Sequence, residues 1–371
     1  MSSRPLRVLM VTPLSPLQPG GVQRYVWELS TRLVDRQVHV EILCTDPERE
    51  EPRLEQQDRL TVRTVPAWPR GWDWCFAPGM WQEMGRASWD LVHVQSYHTL
   101  VAPLAMTKAL RLRVPYCLTF HGGGHTSELR NRSRPLQRRL LAPLLARAAG
   151  LVAVARFEVD LFSEPLGIPR EKFRVIPVGT DLTVRDDVDV TGAGGPPAIA
   201  SIGRLERYKG HHRLIEALPE VLKARPDARV VIVGRGPYED ELRKYAEELG
   251  VGDRVDITSV RPGDTTGMAE LLSRLSLVVL MSEFETYPQV AIEAAAARRP
   301  MIVADDGAGL REMAEDGLAR MVSLDSSPAG LAGAILEELD RPVSSQRPGL
   351  TSWDDCADAM LELYNDVLRS T

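Results

Sequence analysis

Short apolar runs alternate with amphipathic segments along most of the chain, and this alternation predicts the secondary structure. RVLMVT at residues 7–12 is typical of a buried parallel strand, and residues 22–37 repeat apolar positions at helical spacing. VHVEILCT at residues 38–45 has the pattern of a second strand. Strand, helix and strand in this order form the unit of a parallel sheet. The first half continues with strands at 91–95, 115–121 and 150–155, a helix near 99–111 and an arginine-rich helical stretch.

The pattern stops at DLTVRDDVDVTGAGGPP, where acidic residues, glycines and prolines replace the apolar periodicity. Such a composition is typical of a linker between domains. The pattern then resumes with the strands AIASIGR, RVVIVGRG, RVDITS, SLVVLMS and PMIVAD and with helices at about 210–225, 238–249 and 288–298. We therefore predict an α/β protein with two doubly wound, Rossmann-like domains that face each other across a cleft at the carboxyl ends of their strands. Their expected bounds are residues 1–182 and 198–352, with a linker at 183–197.

Composition and charge narrow the class of protein. The chain has 371 residues, of which 44% are hydrophobic and 26% charged, as expected for a folded globular protein of about two domains. The net charge of -6 argues against a surface built wholly for nucleic acid. The four cysteines are far apart, which favours reduced thiols over a zinc or disulfide framework. VLMV, before Thr12, is too short for a signal peptide or a membrane span, so we expect a cytoplasmic protein.

Two cations in the second half lie where a phosphate site would form. In SIGRLERYKGHHRLIEAL, Arg204 follows a strand and Lys209 precedes a helix, so both are expected at the carboxyl edge of the sheet. The amino end of the helix adds its own positive pole and unpaired amides. This arrangement suits a diphosphate, whereas an isolated Arg and Lys in a loop are more often solvated surface residues.

An ordered set of motifs strengthens the diphosphate interpretation. GRLERYKG, VGRGP and the pair Glu285 and Glu293 occur in one domain, and together they resemble the donor-binding half of the family 4 glycosyltransferases, which have the GT-B fold. The first half contributes PGGVQRYVWELS, DLVHVQSYH with His93, TFHGGG with His121, and VIPVGTD ending at Asp181. The resemblance covers nearly the whole chain.

The resemblance implies a retaining glycosyltransferase that moves a sugar from a nucleoside diphosphate sugar to an acceptor hydroxyl and requires no further cofactor. The first domain would bind the acceptor, and a C-terminal helix at about residues 353–371 would pack back onto it. That helix has Trp353, Ala357, Met360, Leu361 and Tyr364 on one face. The acceptor is expected to be a natural-product or glycoconjugate intermediate.

The resemblance also assigns roles to residues of the second domain. Glu285 would lie beside the donor sugar, and Glu293 would accept hydrogen bonds from the ribose hydroxyls, which suits a carboxylate facing a diol. The alternative for Glu293 is that it caps its own helix. Arg204 and Lys209 would stabilise the leaving diphosphate. The other predicted donor-binding residues are Gly20, Gly21, Gly203, Gly234, Gly236, Thr286, Tyr287, Pro288 and Gln289.

Several histidines are candidates for the reaction centre. His121 follows a strand and precedes three glycines, and the resemblance places it near the donor sugar, so the predicted catalytic set is His121, Arg204, Lys209 and Glu285. Tyr97 and His98 are expected on the acceptor side. His211 and His212 are expected on a helix surface. His121 would hold a hydroxyl or polarise the site, and the role of general base is not assigned to it.

The loop between the two glutamates departs from the family pattern. Thr286, Tyr287 and Pro288 stand where many members have Gly-Phe-Gly, and Pro288 has no amide to offer a sugar. The identity of the sugar is therefore open, and a non-catalytic nucleotide-sugar binding protein stays an alternative. A nicotinamide-dependent oxidoreductase would share the two-domain pattern, but the loop after the first strand lacks the G-x-G-x-x-G fingerprint.

Metal and membrane contacts are two further questions. Asp187 and Asp189 match the short D-x-D pattern of some metal-dependent transferases, but they lie in the linker, and no metal is predicted. The region from Arg130 to Arg147 alternates arginines with LLAPLLA, which leaves open a peripheral contact with an anionic membrane and a lipid or polysaccharide acceptor. Pro135 and Pro143 argue against a continuous helix there. The arginines are Arg130, Arg132, Arg134, Arg138, Arg139 and Arg147.

Overall fold

The computed structural model describes residues 4–18, 20–46, 51–57, 60–69, 75–122, 128–182, 195–261, 263–343 and 350–370, with the side chains of residues 128–133 left aside. The chain forms two compact units. The first consists of Met1–Gly179 and Thr351–Thr371, and the second consists of Thr180–Leu350. Each unit has its own sheet and its own hydrophobic core.

The strands form one sheet in each unit. In chain order they are β1 (Arg7–Leu14), β2 (His39–Asp46), β3 (Arg53–Gln57), β4 (Leu60–Pro66), β5 (Leu91–Gln95), β6 (Tyr116–Thr119), β7 (Gly150–Ala153), β8 (Phe173–Val175), β9 (Ala198–Ile202), β10 (Arg229–Val233), β11 (Val255–Thr258), β12 (Leu277–Leu280), β13 (Met301–Asp305) and β14 (Arg320–Ser323). The first sheet has the order β3-β4-β2-β1-β5-β6-β7-β8, and the second has the order β11-β10-β9-β12-β13-β14. β3 and β4 pair antiparallel, and the other neighbours pair parallel.

Helices connect most of the parallel strands, as crossover connections require, and β3 lies in the chain between the parallel pair β2 and β4. They are α1 (Gly21–Asp35), α2 (Gly79–Glu83), α3 (Val101–Leu112), α4 (Glu128–Leu145), α5 (Arg156–Leu166), α6 (His211–Ala224), α7 (Glu239–Glu248), α8 (Thr265–Ser273), α9 (Gln289–Ala296), α10 (Gly309–Glu315), α11 (Pro328–Asp340) and α12 (Trp353–Arg369). Single 3-10 turns occur at Arg170–Lys172, Arg207–Lys209 and Gly252–Arg254. The prediction of two α/β units with parallel sheets is confirmed.

The central strands are buried on both faces, which explains their continuous apolar sequences. In β1, Val8 to Val11 are at most 1% exposed, and Val8 is in register with Leu91 of β5. In the second sheet, Leu277 to Val279 of β12 are fully buried. The carboxyl ends of these strands set the positions of the loops that carry the predicted site residues.

Helix α12 belongs to the first unit. It begins with a capping box in which Ser352 and Asp355 satisfy each other's backbone amides. Trp353 and Tyr364 are at most 1% exposed, and Arg36 forms ion pairs with Asp354 and Asp358. Its buried face differs from the predicted one in detail, because Leu361 is only half-buried. The buried face consists of Trp353, Cys356, Ala357, Met360, Leu363, Tyr364 and Val367.

The expectation that prolines break the arginine-rich region is wrong. Helix α4 runs from Glu128 to Leu145 with Pro135 and Pro143 inside it. Each proline costs the helix one backbone hydrogen bond. Packing offsets this loss, because Leu141 and Leu145 are buried in the core of the first unit.

Candidate functional site

The loop after β9 presents Lys209 and Arg204 from the second unit. It ends at Gly210, which adopts a left-handed backbone with φ of 71°. A Cβ atom at Gly210 would lie 2.1 Å from the carbonyl oxygen of Met281, so this turn packs directly against the end of β12. Glycine is required here both for its backbone conformation and for the close approach. The turn brings the β9 loop next to the β12 loop.

Lys209 and Glu285 meet across these two loops. Lys209 Nζ lies 2.5 Å from Glu285 Oε1, and the Ser282 hydroxyl donates to the same oxygen at 2.8 Å. The two side chains are 15% and 18% exposed. A backbone hydrogen bond from Glu283 to the Tyr208 carbonyl also joins the loops. A cation and a carboxylate that lie 76 residues apart in sequence are thus in contact at the carboxyl edge of the sheet.

Arg204 also lies beside the Tyr208 ring. Its guanidinium pairs with Glu206 and donates to the Tyr208 hydroxyl at 2.6 Å. The Arg204 side chain is 67% exposed, so this ion pair is weak and easily exchanged. Arg204 Cζ and Lys209 Nζ lie 5.9 Å and 5.3 Å from the Tyr208 ring centre. Both predicted cations therefore lie near a single aromatic ring.

Asp306, which sequence reasoning did not single out, fixes the loop that carries Glu285. One of its carboxylate oxygens accepts from the Glu285 amide at 2.9 Å, and the other accepts from the amides of Ala308 and Arg311. Burial raises the pKa of Asp306 above its ordinary value, although the amide donors oppose this shift. The Gly309 amide adds a bond to the Glu285 carbonyl at 2.8 Å. The signal in the sequence was an aspartate directly after the strand PMIVAD.

Glu293 lies inside α9 at a buried position. It is 4% exposed, and the N-cap residue of α9 is Pro288, so Glu293 is in the second turn and is not the N-cap. Pro288 is buried, whereas Thr286, Tyr287 and Gln289 are half-buried. The structure places all of these residues on the segment that follows β12.

The two glycines of VGRGP have a packing function. A Cβ at Gly234 would lie 1.8 Å from the Gly203 carbonyl oxygen, and one at Gly236 would lie 2.3 Å from the Leu205 carbonyl oxygen. The Leu205 amide donates to the Arg235 carbonyl at 2.9 Å. Because these two positions have no Cβ atom, the backbone of the β10 loop can pack directly against the β9 loop.

The expectation that His211 lies on a helix surface is wrong. His211 is 1% exposed, whereas His212 is half-buried beside Tyr238. Nδ1 of His211 is 2.8 Å from the Ser201 hydroxyl, and Nε2 is 3.0 Å from the Arg204 carbonyl oxygen. The ring is buried because the β9 loop folds over the first turn of α6.

His121 is the central predicted residue of the first unit. It has a left-handed backbone with φ of 45°, and its Nε2 lies 2.8 Å from Gln95 Oε1. The ring also packs edge-on against Tyr25, with ring centres 4.6 Å apart. Burial lowers the pKa of His121 to about 3, so its imidazole is neutral at pH 7. A neutral, well-held ring is suited to positioning a hydroxyl.

Glu158 holds the backbone that follows His121. It is fully buried in the first turn of α5 and accepts from the Gly122 amide at 2.6 Å and the Val154 amide at 2.8 Å. These amides belong to the loops after β6 and β7. Sequence reasoning missed Glu158, because a carboxylate three residues into a helix is an ordinary first-turn residue.

Tyr97 and His98, predicted on the acceptor side, have different environments. Tyr97 is 2% exposed and packs against Phe120 and Phe162 in the core. His98 is half-buried, and its Nε2 donates to the His121 carbonyl oxygen at 2.9 Å. Of the two side chains, only His98 presents surface to a ligand in this structure.

The remaining predicted residues of the first unit are Gly20, Gly21 and His93. Gly20 is the N-cap of α1, and Gly21 is its first residue, so both lie at the positive end of this helix. His93 is fully buried, with Nδ1 2.6 Å from the Tyr364 hydroxyl and Nε2 2.8 Å from the Thr119 hydroxyl. His93 therefore ties β5 to α12 within the core.

Metal and membrane features can be judged in the part of the chain that the structure describes. There, no group of three or more His, Cys, Asp or Glu side chains is arranged to hold a metal ion. Over the same residues, no helix combines the length and the hydropathy needed to cross a bilayer. Asp187 and Asp189 lie outside the described residues, as do the side chains of Arg130 and Arg132.

Two family models match the chain. The model of Glycosyltransferase Family 4 matches residues 19–184, and that of Glycosyl transferases group 1 matches residues 185–349. Glycogen synthase from Mycobacterium tuberculosis is 30% identical over 97% of this chain and 94% of its own. D-inositol 3-phosphate glycosyltransferase from Segniliparus rotundus is 27% identical over 94% of this chain and 85% of its own.

Solved structures share the fold. Sucrose-phosphate synthase from Thermosynechococcus elongatus has a TM-score of 0.77 at 19% identity and covers 99% of this chain and 100% of its own. Anabaena Alr3699/HepE in complex with UDP has a TM-score of 0.70 at 17% identity and covers 98% of this chain and 99% of its own. Each neighbour covers residues of both units.

Proposed function

The chain belongs to the family 4 glycosyltransferases with the GT-B fold, and we propose that it transfers a sugar, with retention, from a nucleoside diphosphate sugar to an acceptor hydroxyl. The contact between Lys209 and Glu285 carries this proposal. It puts a cation suited to a phosphate 2.5 Å from a carboxylate suited to sugar hydroxyls. The two charges are complementary to adjacent parts of one donor molecule.

The diphosphate lies against Arg204 and Lys209 in this proposal. In the free protein these cations pair with Glu206 and Glu285, so their charges are balanced. A diphosphate displaces Glu206 from the exposed Arg204, whereas Lys209 keeps its contact with Glu285 and offers its remaining N–H donors to the phosphate. During transfer both cations stabilise the negative charge that grows on the leaving group.

The sugar and the ribose are held by the two glutamates. Asp306 and Gly309 fix the backbone on both sides of Glu285, so its carboxylate is preorganised beside Lys209. Glu293, which is buried in α9, accepts hydrogen bonds from the ribose hydroxyls. Gly20, Gly21, Gly203, Thr286, Tyr287, Pro288 and Gln289 stay predicted donor contacts, and Gly234 and Gly236 act by supporting the β9 loop.

Retention follows if the acceptor attacks the face of the sugar from which the diphosphate departs. The departing phosphate oxygen then takes the proton of the acceptor hydroxyl, and no enzymatic base is needed. Glu285, which is engaged by Lys209 and Ser282, orients the sugar and does not act as a nucleophile. His121, held neutral, positions a hydroxyl.

The donor is identified by thermal stabilisation with uridine, adenosine and guanosine diphosphates and their sugar conjugates, with and without magnesium. The complex of Anabaena Alr3699/HepE with UDP makes the uridine series our first choice. We expect stabilisation by one series without metal and its loss in Glu293→Ala. Lys209→Ala should slow transfer by roughly a hundredfold or more. Transfer by Lys209→Ala at the parent rate would refute the proposal.

The acceptor is proposed to be a hydroxyl of a natural-product or glycoconjugate intermediate. The names of the relatives point to two acceptor classes, since one is a glycogen synthase and another acts on D-inositol 3-phosphate. Once the donor is known, maltooligosaccharides, free inositol and inositol phosphates can be compared as acceptors by product analysis. A product with only one class would fix the acceptor type.

A second candidate role is peripheral contact with an anionic membrane through α4. Leu136 and Leu140 are 62% and 71% exposed and lie one helical turn apart, and Arg139 is exposed between them. Exposed leucines beside a cation are typical of a helix that lies in a membrane interface. This contact would hold a cytoplasmic enzyme at the inner face of the membrane, near a lipid or polysaccharide acceptor.

Vesicle sedimentation tests this second role. At low salt, vesicles with anionic lipid should pull down the parent protein, whereas neutral vesicles should not. The double variant Leu136→Ser and Leu140→Ser should stay in the supernatant. Leu54→Ser, which changes a leucine that is 58% exposed on β3, is the matched control and should sediment like the parent. Equal recovery with both kinds of vesicle would rule out the charge-assisted contact.

A further inference from the structure

The side chains of Lys209 and His211, on either side of Gly210, point in different directions. Lys209 reaches Glu285, whereas His211 enters the interior beneath the β9 loop. Gly210 makes this divergence possible through its left-handed backbone and its close packing on Met281. The position of Lys209 and the position of the His211 ring are therefore coupled through one turn.

The hydrogen bonds of His211 determine its protonation. The Arg204 carbonyl can only accept, so Nε2 of His211 carries the proton and donates it. Nδ1 then accepts from the Ser201 hydroxyl. Burial lowers the pKa of His211 to about 4, which agrees with a neutral ring at pH 7. Every polar atom of the ring is thus engaged in one defined tautomer.

We propose that His211 is a positioning residue for the diphosphate site, with Ser201 as its anchor on β9. The ring connects the rigid strand to the Arg204 carbonyl and so holds the loop from which Arg204 and Lys209 project. This inference rests on the proposed function, in which those two cations bind the diphosphate. His211 itself touches no substrate in this mechanism.

The packing around Gly203 supports the coupling. From a Cβ built on Gly203, the nearest atoms would be His211 Cε1 and Lys209 Cδ, both at 3.7 Å. The imidazole and the lysine stem therefore both pack against the backbone at Gly203. A phenylalanine at position 211 would fill a similar volume but would remove the Nε2 donor from the Arg204 carbonyl, which would keep only the Glu206 amide, and the Nδ1 acceptor from the Ser201 hydroxyl. A glutamine would retain a donor for the carbonyl.

The test compares nucleoside monophosphate and diphosphate binding by isothermal titration calorimetry. UMP and UDP are the first probes, with the adenosine and guanosine pairs measured in parallel. We expect His211→Phe to weaken diphosphate binding by about tenfold, as for one lost hydrogen bond, and to leave monophosphate binding unchanged. His211→Gln should recover most of the lost affinity, and Ser201→Ala should show a smaller loss in the same direction.

His212→Phe is the matched control, since His212 lies beside Tyr238 and has a half-buried ring. It should bind both nucleotides like the parent. Equal weakening of monophosphate and diphosphate by His211→Phe would overturn the positioning role, because a general loss of fold has that effect. Diphosphate affinity unchanged in both His211→Phe and Ser201→Ala would also overturn it. A parent that bound none of the six nucleotides would overturn the proposed function itself.

Discussion

Replacement of Gly309 by alanine tests whether the loop that carries Glu285 must lie where the structure places it. Gly309 begins α10, and its amide donates to the Glu285 carbonyl oxygen at 2.8 Å. A Cβ at this position would lie 2.4 Å from the Thr286 carbonyl oxygen and 2.8 Å from the Glu285 carbonyl oxygen. The clash is with backbone atoms, so no rotation of a side chain can relieve it.

The size of the displacement follows from these distances. A carbon atom approaches a carbonyl oxygen to about 3.3 Å, so the Thr286 carbonyl must move away by about 1 Å. A misplacement of about 1 Å at a reacting group can cost on the order of a hundredfold in rate. We therefore expect Gly309→Ala to lower kcat/KM for the donor by one to two orders of magnitude, or about 1.4 to 2.7 kcal/mol of activation free energy.

The assay is the initial rate of nucleoside diphosphate release in the presence of acceptor, measured over a range of donor concentrations. Gly333→Ala is the matched control, because Gly333 lies on α11 of the same unit and a Cβ there would meet nothing within 4 Å. It should keep the parent rate and gain up to about 1 kcal/mol of helix stability. Thermal melting checks that both variants are folded.

A folded Gly309→Ala enzyme with the kcat/KM of the parent would refute the reasoning. It would mean that the Glu285 loop tolerates a shift of about 1 Å, so that the ties from Asp306 and Gly309 do not preorganise the site. An equal loss in Gly333→Ala would refute it as well, because that residue has no contact to disturb.

Three further predictions concern stability. Gly210→Ala should lower the free energy of unfolding, measured by urea titration, by about 2 to 4 kcal/mol, because the added methyl group is overpacked and the left-handed backbone is strained. Gly250→Ala is the control: its φ is 69° but the space around it is open, so the free energy of unfolding should fall by only about 1 to 2 kcal/mol. Trp353→Ala should cost about 3 to 5 kcal/mol, seen as an earlier unfolding transition by circular dichroism, and an unchanged transition would contradict the packing of α12. Acidification from pH 7 to pH 5 should destabilise the first unit, because burial lowers the pKa of His93 and of His121 to about 3 while the unfolded chain binds these protons near 6.5. Since the unfolded state holds more protons in this window, each histidine contributes a loss of up to about 2 kcal/mol, and His93→Gln should show a shallower pH dependence than the parent.

Hydrophobic pattern predicted the parallel strands because these strands are buried on both faces. LVHVQ at residues 91–95 coincides with β5, and the predicted strand AIASIGR contains β9. The hairpin of β3 and β4 was not predicted, because RLEQQ in β3 is mostly polar and lies at the edge of the sheet. An edge strand has no second buried face to produce an apolar run. The prolines of α4 were wrongly expected to break the helix, because the packing of Leu141 and Leu145 in the core is not visible in the local sequence.

The positions of site residues could be predicted from the sequence where these residues directly follow parallel strands. Lys209 and Glu285 follow neighbouring strands of one sheet, so their proximity could be expected from the rule that carboxyl ends share an edge. The burial of His211 could not be expected from the sequence, because it depends on how the β9 loop folds over α6. Asp306 and Glu158 were missed for a similar reason, since each acts through backbone amides that carry no sequence identity.

The contact between Gly179 and Trp353 has a consequence for the order of folding. A Cβ at Gly179 would lie 2.4 Å from Trp353 Cα, so the chain leaves the first unit and returns to it at the same place. Between these points it forms the whole second unit, Thr180–Leu350. During synthesis all of Thr180–Leu350 is therefore made before Trp353 and Tyr364. The first unit can be completed only after the second unit has been synthesised, when Trp353 of α12 packs against Tyr25 of α1.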